Sequence, residues 1–400
     1  MKKTIVLCCL MVLVGICHAV PPLPPLGFRW VLQPEFSDEF NGDELNSDKW
    51  FDYYPGWQGR TPARFDPRAL RLSGGYLQIE SGVYKKPVKD YTMYGGAVVS
   101  KSSEAHFGYY ECRFKASKIG MSTTFWLSND KVPFEDTDCP RDSYSQELDI
   151  QECVGGNPAF PKMGKGMNSN THYRYVKCEG GRENFISKGA GTTLDSEVSE
   201  EFHTYAAWWR DAEEVYFYAD NAFFQSIKIR KDISEQPFDR PMHVNMVTET
   251  YDWQPAPSVK ELKDKSINTS YYDWIRAYKL VPVDQKDAAS EAIDLDLFEN
   301  KIYLKEMPKT VFESKNISLE YVFASDENTK VVCKVVERVN KKAQTIQSME
   351  WQVYAGYGHG QADLELDFTP TPSKTYQLEL ELVSSVSGDV LKKVSYDLSK

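Results

Sequence analysis

The sequence predicts an all-β protein: a jelly-roll β-sandwich that carries the chemistry, followed by a second, smaller, immunoglobulin-like β-sandwich. Three observations predict it. Short, alternating, aromatic-rich segments recur along the chain, among them Tyr76–Ser81, Gly108–Ala116, Thr124–Ser128, Tyr205–Arg210, Val215–Ala219, His243–Thr248 and Tyr271–Leu280. Proline and glycine punctuate the gaps, and few stretches show the 3.6-residue period of a helix. Beyond about residue 300 the only tryptophan is Trp351, and longer alternating runs such as Gln377–Val383 and Val390–Asp397 take over. That shift marks the second sandwich.

In chain order, Lys2 and Lys3 precede an apolar run from Ile5 to Ile16, and Cys17-His18-Ala19 closes it with small residues at the key positions. This reads as a secretory signal peptide over residues 1–19, cleaved after Ala19 and too short for a membrane anchor. Lipidation at Cys17 is the alternative, with the bulky Ile16 against it. The expected product is exported, with no transmembrane segment. VPPLPPL, residues 20–26, reads as an extended polyproline tether. The catalytic domain is expected over 20–283, a polar, acidic linker over 284–299, and the C-terminal module over 300–400.

The net charge of −11 argues against nucleic acid as a partner and offers no general attraction for an anionic polymer, so local arginines must bind any anionic substrate. Aromatic residues make up 13% of the chain, a supply of flat rings that suits sugar faces as well as β-cores. Five cysteines remain after the signal: Cys112, Cys139, Cys153, Cys178 and Cys333. An odd count leaves at least one thiol unpaired in the expected monomer. One or two bridges at most are expected, and no spacing suggests zinc.

The segment QELDIQE, residues 146–152, concentrates the chemistry. Glu147 and Asp149 share one face of a strand, but the next position on that face is Gln151, and the third acid arrives only at Glu152. A β-bulge, one extra residue around Ile150-Gln151, would return Glu152 to the face of the other two, with Leu148 packed behind. An acidic solvent face is the plain alternative. Acids are poor strand formers, however, and three like charges side by side repel, so the cluster costs stability and points to function. Paired carboxylates about 5–5.5 Å apart are the retaining arrangement for glycoside hydrolysis.

ELDIQE resembles the E-x-D-x-x-E signature of glycoside hydrolase family 16 in its bulged form. FSDEFNGDELNSDKW, GYYECRFKAS, TTFWLSN and YYDWIRAYK resemble the family's flanking segments in the same order, so the likeness covers about residues 28–282. It implies two curved antiparallel sheets with a cleft across the concave face. It also implies that Glu147 is the nucleophile, Glu152 the general acid/base, and Asp149 the auxiliary acid that positions and tunes them. Catalysis then needs no cofactor. A structural calcium ion is common in the family, with Asp273 and Glu39 resembling its ligands.

The bulged branch looks like that of porphyranases, agarases and carrageenases, which cut red-algal galactans. PGWQGR resembles a Trp-x-x-Arg pair bracing a sugar, through Trp57 and Arg60. Trp126 resembles the ring beneath the cleaved residue, Glu249 an acid that contacts the sugar, and His172 a cleft histidine. Arg141, six residues before Glu147, is similar to an arginine with which porphyranases hold a sulfate, with Ser145 as the accompanying hydroxyl. Each residue also has a bland role open to it: Trp126 in a core, Trp57 as a loop plug, His172 as an ordinary histidine, and Arg141 paired with Asp138 or Asp142. Where porphyranases carry a histidine upstream of the Trp-x-x-Arg pair, this chain has Tyr54. The resulting expectation is a hydrolase of porphyran, with agarose second and carrageenan next. The rivals of other classes are a catalytically silent galactan-binding protein and a structural surface protein.

Overall fold

The computed structural model describes residues 21–133, 143–176, 183–230, 237–288, 297–307, 315–339 and 342–398. Nearly all of the regular structure is strand, and each alternating segment named above falls on one, within about two residues at its ends. The one α-helix among the described residues, Val259–Lys263, is a single turn held by a capping box between Ser258 and Glu261. Among the described residues no helix is long and apolar enough to cross a membrane.

Two antiparallel sheets face each other in the first 283 residues. The cleft sheet runs in the order Glu183–Thr193, Gly166–Val176, Ser143–Val154, Ser122–Ser128, His243–Val247, Ala97–Ser100, Trp50–Phe51. The outer sheet includes Ala222–Lys228, Glu214–Ala219, His203–Trp209, Gly108–Lys115, Thr269–Pro282 and Phe28–Leu32. Between them lies one apolar core, in which Phe125, Leu127, Leu148 and Ile150 from the cleft sheet meet Cys112, Phe114, Tyr205 and Ile275 from the outer one. Alternation then forces the intervening side chains of the cleft sheet outward, and this places the acids. Cys112, Cys153 and Cys333 are buried free thiols. Cys139 and Cys178 lie outside the described residues.

The C-terminal residues form a second sandwich. Lys342–Val353, Thr329–Val339, Thr375–Ser384 and Val390–Asp397 make one sheet. Asn316–Ser325, Gly356–Glu365 and Lys301–Leu304 face it across a core that includes Phe323, Val331, Cys333, Leu378 and Leu380. These three strands also continue the outer sheet, because Gly356–Glu365 pairs with the free edge of Phe28–Leu32 through Phe28↔His359, Arg29↔Gly358 and Trp30↔Tyr357. The buried Arg29 guanidinium donates to Ala355 O and to Gln285 O.

This junction corrects the tether reading of VPPLPPL. Pro21 and Pro24 are buried, Trp30 Nε1 donates to Pro22 O, and His359 Nδ1 lies 3.0 Å from Pro24 O. Proline has a backbone carbonyl but no N–H, so the segment offers acceptors to its neighbours and few donors that need a partner. The acidic stretch after Val283 is likewise held where it is described: Lys279 pairs with Asp287, and Leu297 and Phe298 are buried against the outer sheet.

Candidate active site

The strand Ser143–Val154 pairs with Ser122–Ser128 in a register that breaks once. Trp126 faces Asp149 and Phe125 faces Gln151, leaving Ile150 as the extra residue. Before the bulge the odd-numbered side chains point to the cleft, and after it the even-numbered Glu152 does. Leu148 and Ile150 go to the core. The Gln151 amide is satisfied inside the sheet, donating to Gly166 O and accepting from Asn168 N. Glu147, Asp149 and Glu152 therefore line one cleft of about 780 Å³.

Burial is the main force on these acids. It pushes Glu147 up to about 8, with Asp149 adding to the rise and Arg174 and His172 opposing it. Asp149, 4% exposed, is raised well above the ordinary carboxylate range by burial and by Glu152. The counter-charges come from the neighbouring strand Gly166–Val176, whose register sets His172 opposite Glu147 and Arg174 opposite Ser145. His172 Nε2 sits 2.8 Å from Asp149 Oδ2 and 3.9 Å from Glu147 Oε1, while Arg174 Nη2 lies 3.7 Å from Glu147 Oε1. Burial lowers the His172 imidazole. On the other side, the Tyr251 hydroxyl donates to Glu152 Oε1 at 2.6 Å.

Aromatic rings form the cleft wall. Trp126 stacks on Tyr54 with centroids 5.8 Å apart, and Trp57 meets Tyr54 and Phe65 edge-on. The Tyr54 hydroxyl is within hydrogen-bonding distance of Ser128 Oγ, at 3.1 Å. Arg60 lies over the rings of Trp57 and Tyr251 and pairs with Glu249 at 3.1 Å and Asp252 at 3.8 Å. Burial pushes Glu249 up to about 8 against the pull of Arg60.

Trp57, Arg60, Trp126, Ser145, Glu147, Asp149, Glu152, His172 and Glu249 thus line a single cleft. Arg141 lies outside the described residues. Glu39 and Asp273 do not fit a calcium site: Arg276 grips Glu39 through Nε and Nη2 at 2.7 and 2.8 Å, and Arg113 pairs with Asp273. Each carboxylate is already neutralised by a guanidinium. Among the described residues, one group of three metal-capable side chains has its ligand atoms within 4.8 Å of one another, and it is Glu147, Asp149 and His172. A cation there would sit on the candidate nucleophile.

Sequence reasoning missed Arg174, Tyr251, Phe185 and Trp253, all of which line the cleft. Alternation carried a usable signal for Arg174 alone, two residues after His172 on the strand Gly166–Val176; Tyr251 and Trp253 follow Glu249 beyond the end of His243–Val247. Phe185 could be found only from the strand pairing that sets it opposite Arg174.

A family profile described as β-porphyranase A–D, GH16 domain, matches residues 30–280. The chain belongs to this family. It is an endo-acting glycoside hydrolase of family 16. A second profile, the porphyranase-associated domain, matches residues 302–393. β-Porphyranase B of Phocaeicola plebeius is 42% identical over 285 residues, which is 66% of this chain and 89% of that protein. β-Porphyranase D of Zobellia galactanivorans is 35% identical over 352 residues, covering 85% of this chain and 81% of the relative. The crystal structure of a β-porphyranase from the human gut bacterium Bacteroides plebeius superposes with a TM-score of 0.62 at 42% identity, covering 66% of this chain and 96% of that one. In this family the bulged acid strand has its expected setting, a jelly roll with the acids on the cleft face.

Proposed function

We propose that the protein is an exported, retaining hydrolase that cuts β-linkages of the sulfated red-algal galactan porphyran. The observation that carries this reading is the bulge at Ile150, which sets Glu147 and Glu152 on one face with Asp149 between them in a ring-walled cleft. The names of the 42% and 35% identical relatives support porphyran as the polymer.

A sugar over Trp126 meets the acids from one side. Glu152 gives its proton to the glycosidic oxygen as that bond breaks, and Glu147 attacks the anomeric carbon to form a glycosyl ester. Water, deprotonated by Glu152, then displaces Glu147, and the configuration is retained. Tyr251 holds Glu152, while His172 and Asp149 hold the field around the nucleophile. Arg60 braces the sugar beside Trp57, and Glu249 accepts from its hydroxyls. We assign sulfate contacts to Arg141 and Ser145, export to residues 1–19, and a monomeric state to the mature chain.

Agarose is the second reading. It is favoured by Tyr54, which fills with a ring stacked on Trp126 the place where porphyranases carry a histidine. Incubation with porphyran, agarose and carrageenans, with products sized and their anomers followed early by NMR, tests both readings. Porphyran oligosaccharides of β configuration are expected. Glu147→Gln should lower turnover by several powers of ten while keeping polysaccharide binding, because an amide cannot form the ester. Near-normal turnover by a folded Glu147→Gln protein, or inversion by the wild type, would overturn the assignment. Purified exported protein should begin at Val20 by mass spectrometry.

A further inference from the structure

We propose that Trp253 and Phe160 form an accessory sugar seat beyond the Glu152 end of the cleft, on which a longer galactan chain lays one further ring. This rests on the reading of the cleft as a galactan site and adds a contact to it.

The two rings come from different loops. Phe160 stands on the loop that leaves the catalytic strand Ser143–Val154, just ahead of the short turn Pro161–Met163. Trp253 stands on the loop that follows His243–Val247. Their ring centroids are 5.4 Å apart, and Trp253 stacks in turn on Tyr251, whose hydroxyl holds Glu152. Trp253 lines the cleft, so a path of rings leads from the acid/base residue out to Phe160.

Both outer rings face water: Trp253 is 42% exposed and Phe160 51%. Neither belongs to the core between the sheets. A single exposed ring on a protein surface calls for no explanation, but an adjacent pair continuous with a cleft does. Bracing makes this pair a seat. Gln254, next to Trp253 and buried, accepts from Ala159 N at 2.7 Å and donates to Asn157 O at 3.1 Å, which locks one loop to the other. Val154, Met163 and Tyr251 join the same two loops through a small apolar cluster. At the root of the Phe160 loop, a Cβ on Gly155 would fall 2.2 Å from Ser117 O, so the backbone packs too closely there for any other residue. Rings fixed before the ligand arrives lose little freedom on binding. A galactose unit presents C–H groups on one face and hydroxyls at its edge, which suits a flat ring bordered by water.

The test measures kcat/KM on porphyran and agarose oligosaccharides of increasing length for wild type, Phe160→Ala, Trp253→Ala and Trp253→Phe, each checked for folding by thermal melting. In the wild type kcat/KM should rise with length until the seat is filled and then level off. Phe160→Ala should lower the long-to-short ratio by roughly three- to ten-fold, carried by KM. Trp253→Ala should lower it further, and Trp253→Phe should keep most of it. Should Trp253→Ala melt far below wild type, Phe160→Ala alone decides, because its ring lies outside the cleft lining. An equal loss at every length would make the rings structural supports and overturn the proposal. So would an unchanged ratio. A wild type that cleaves neither series would sink the galactan reading instead, which is distinguishable from one that cleaves a series while the variant ratio stays put.

Discussion

The Tyr251 hydroxyl donates to Glu152 Oε1 at 2.6 Å, from a ring stacked on Trp253 with centroids 4.7 Å apart. The bond fixes the orientation of the residue assigned to proton transfer. Tyr251→Phe keeps the ring and the stack and removes only the donor. An ordinary hydrogen bond is worth about 0.5–1.5 kcal/mol, so kcat should fall by roughly two- to ten-fold with KM little changed. Steady-state kinetics on oligosaccharides checks this, and a loss confined to KM would make Tyr251 a sugar contact instead.

The acid limb of the pH profile should lie far above ordinary carboxylate values. Glu147 must be ionised to attack, and burial, reinforced by Asp149, pushes it up to about 8. As pH falls below that value the charged fraction drops, so kcat/KM should decline toward acid with an apparent pKa well above 6. An acid limb near pH 4–5, measured below KM, would show that the substrate-free cleft holds Glu147 charged.

A second buried acid bears on stability rather than chemistry. Glu111 is fully buried on the outer sheet among Tyr109, Tyr278 and the Arg276–Glu39 pair, and burial pushes it up to about 8 from 4.5. Its folded value lies above its unfolded one, so the folded state keeps a proton that the unfolded state has lost. Stability therefore falls as pH rises from about 4.5 to about 8, by up to about 1.4 kcal/mol per pH unit from this site. Glu111→Gln should flatten that slope and melt higher than wild type at pH 8.5, as chemical denaturation at several pH values would reveal.

Truncation after Val283 tests the division of the chain. The first sandwich has its own core and its own complete cleft, so residues 20–283 should still fold and cleave short oligosaccharides. They should melt lower than the full chain, because the truncation strips the ladder from Phe28–Leu32 and leaves the buried Arg29 without Ala355 O. An inactive truncate, or one as stable as the full chain, would contradict this.

Local rules reached far in this sequence because sheets obey a period of two. Alternation located the strands, and the late arrival of Glu152 located the bulge, since one inserted residue is what returns a third acid to the face of the first two. Partners contributed by other strands were harder to see. Phe185 reaches the site only through the register of neighbouring strands, and that register is set by pairing over distance rather than by local pattern. The calcium expectation meets a related obstacle. Glu39 and Asp273 look available in the sequence, but Arg276 and Arg113, placed opposite them by the fold, occupy both.

The ladder between Phe28–Leu32 and Gly356–Glu365 also has a consequence for the order in which the chain is made. Arg29 and its carbonyl partner Ala355 are 326 residues apart. A chain that emerges from its N-terminus must carry an uncovered strand edge until its distant partner strand appears. The first sandwich can close early over its own core, but its seam with the module can be sewn only once Gly356–Glu365 has emerged. Conditions that slow or interrupt emergence should therefore produce association through that edge before any loss of the cleft itself.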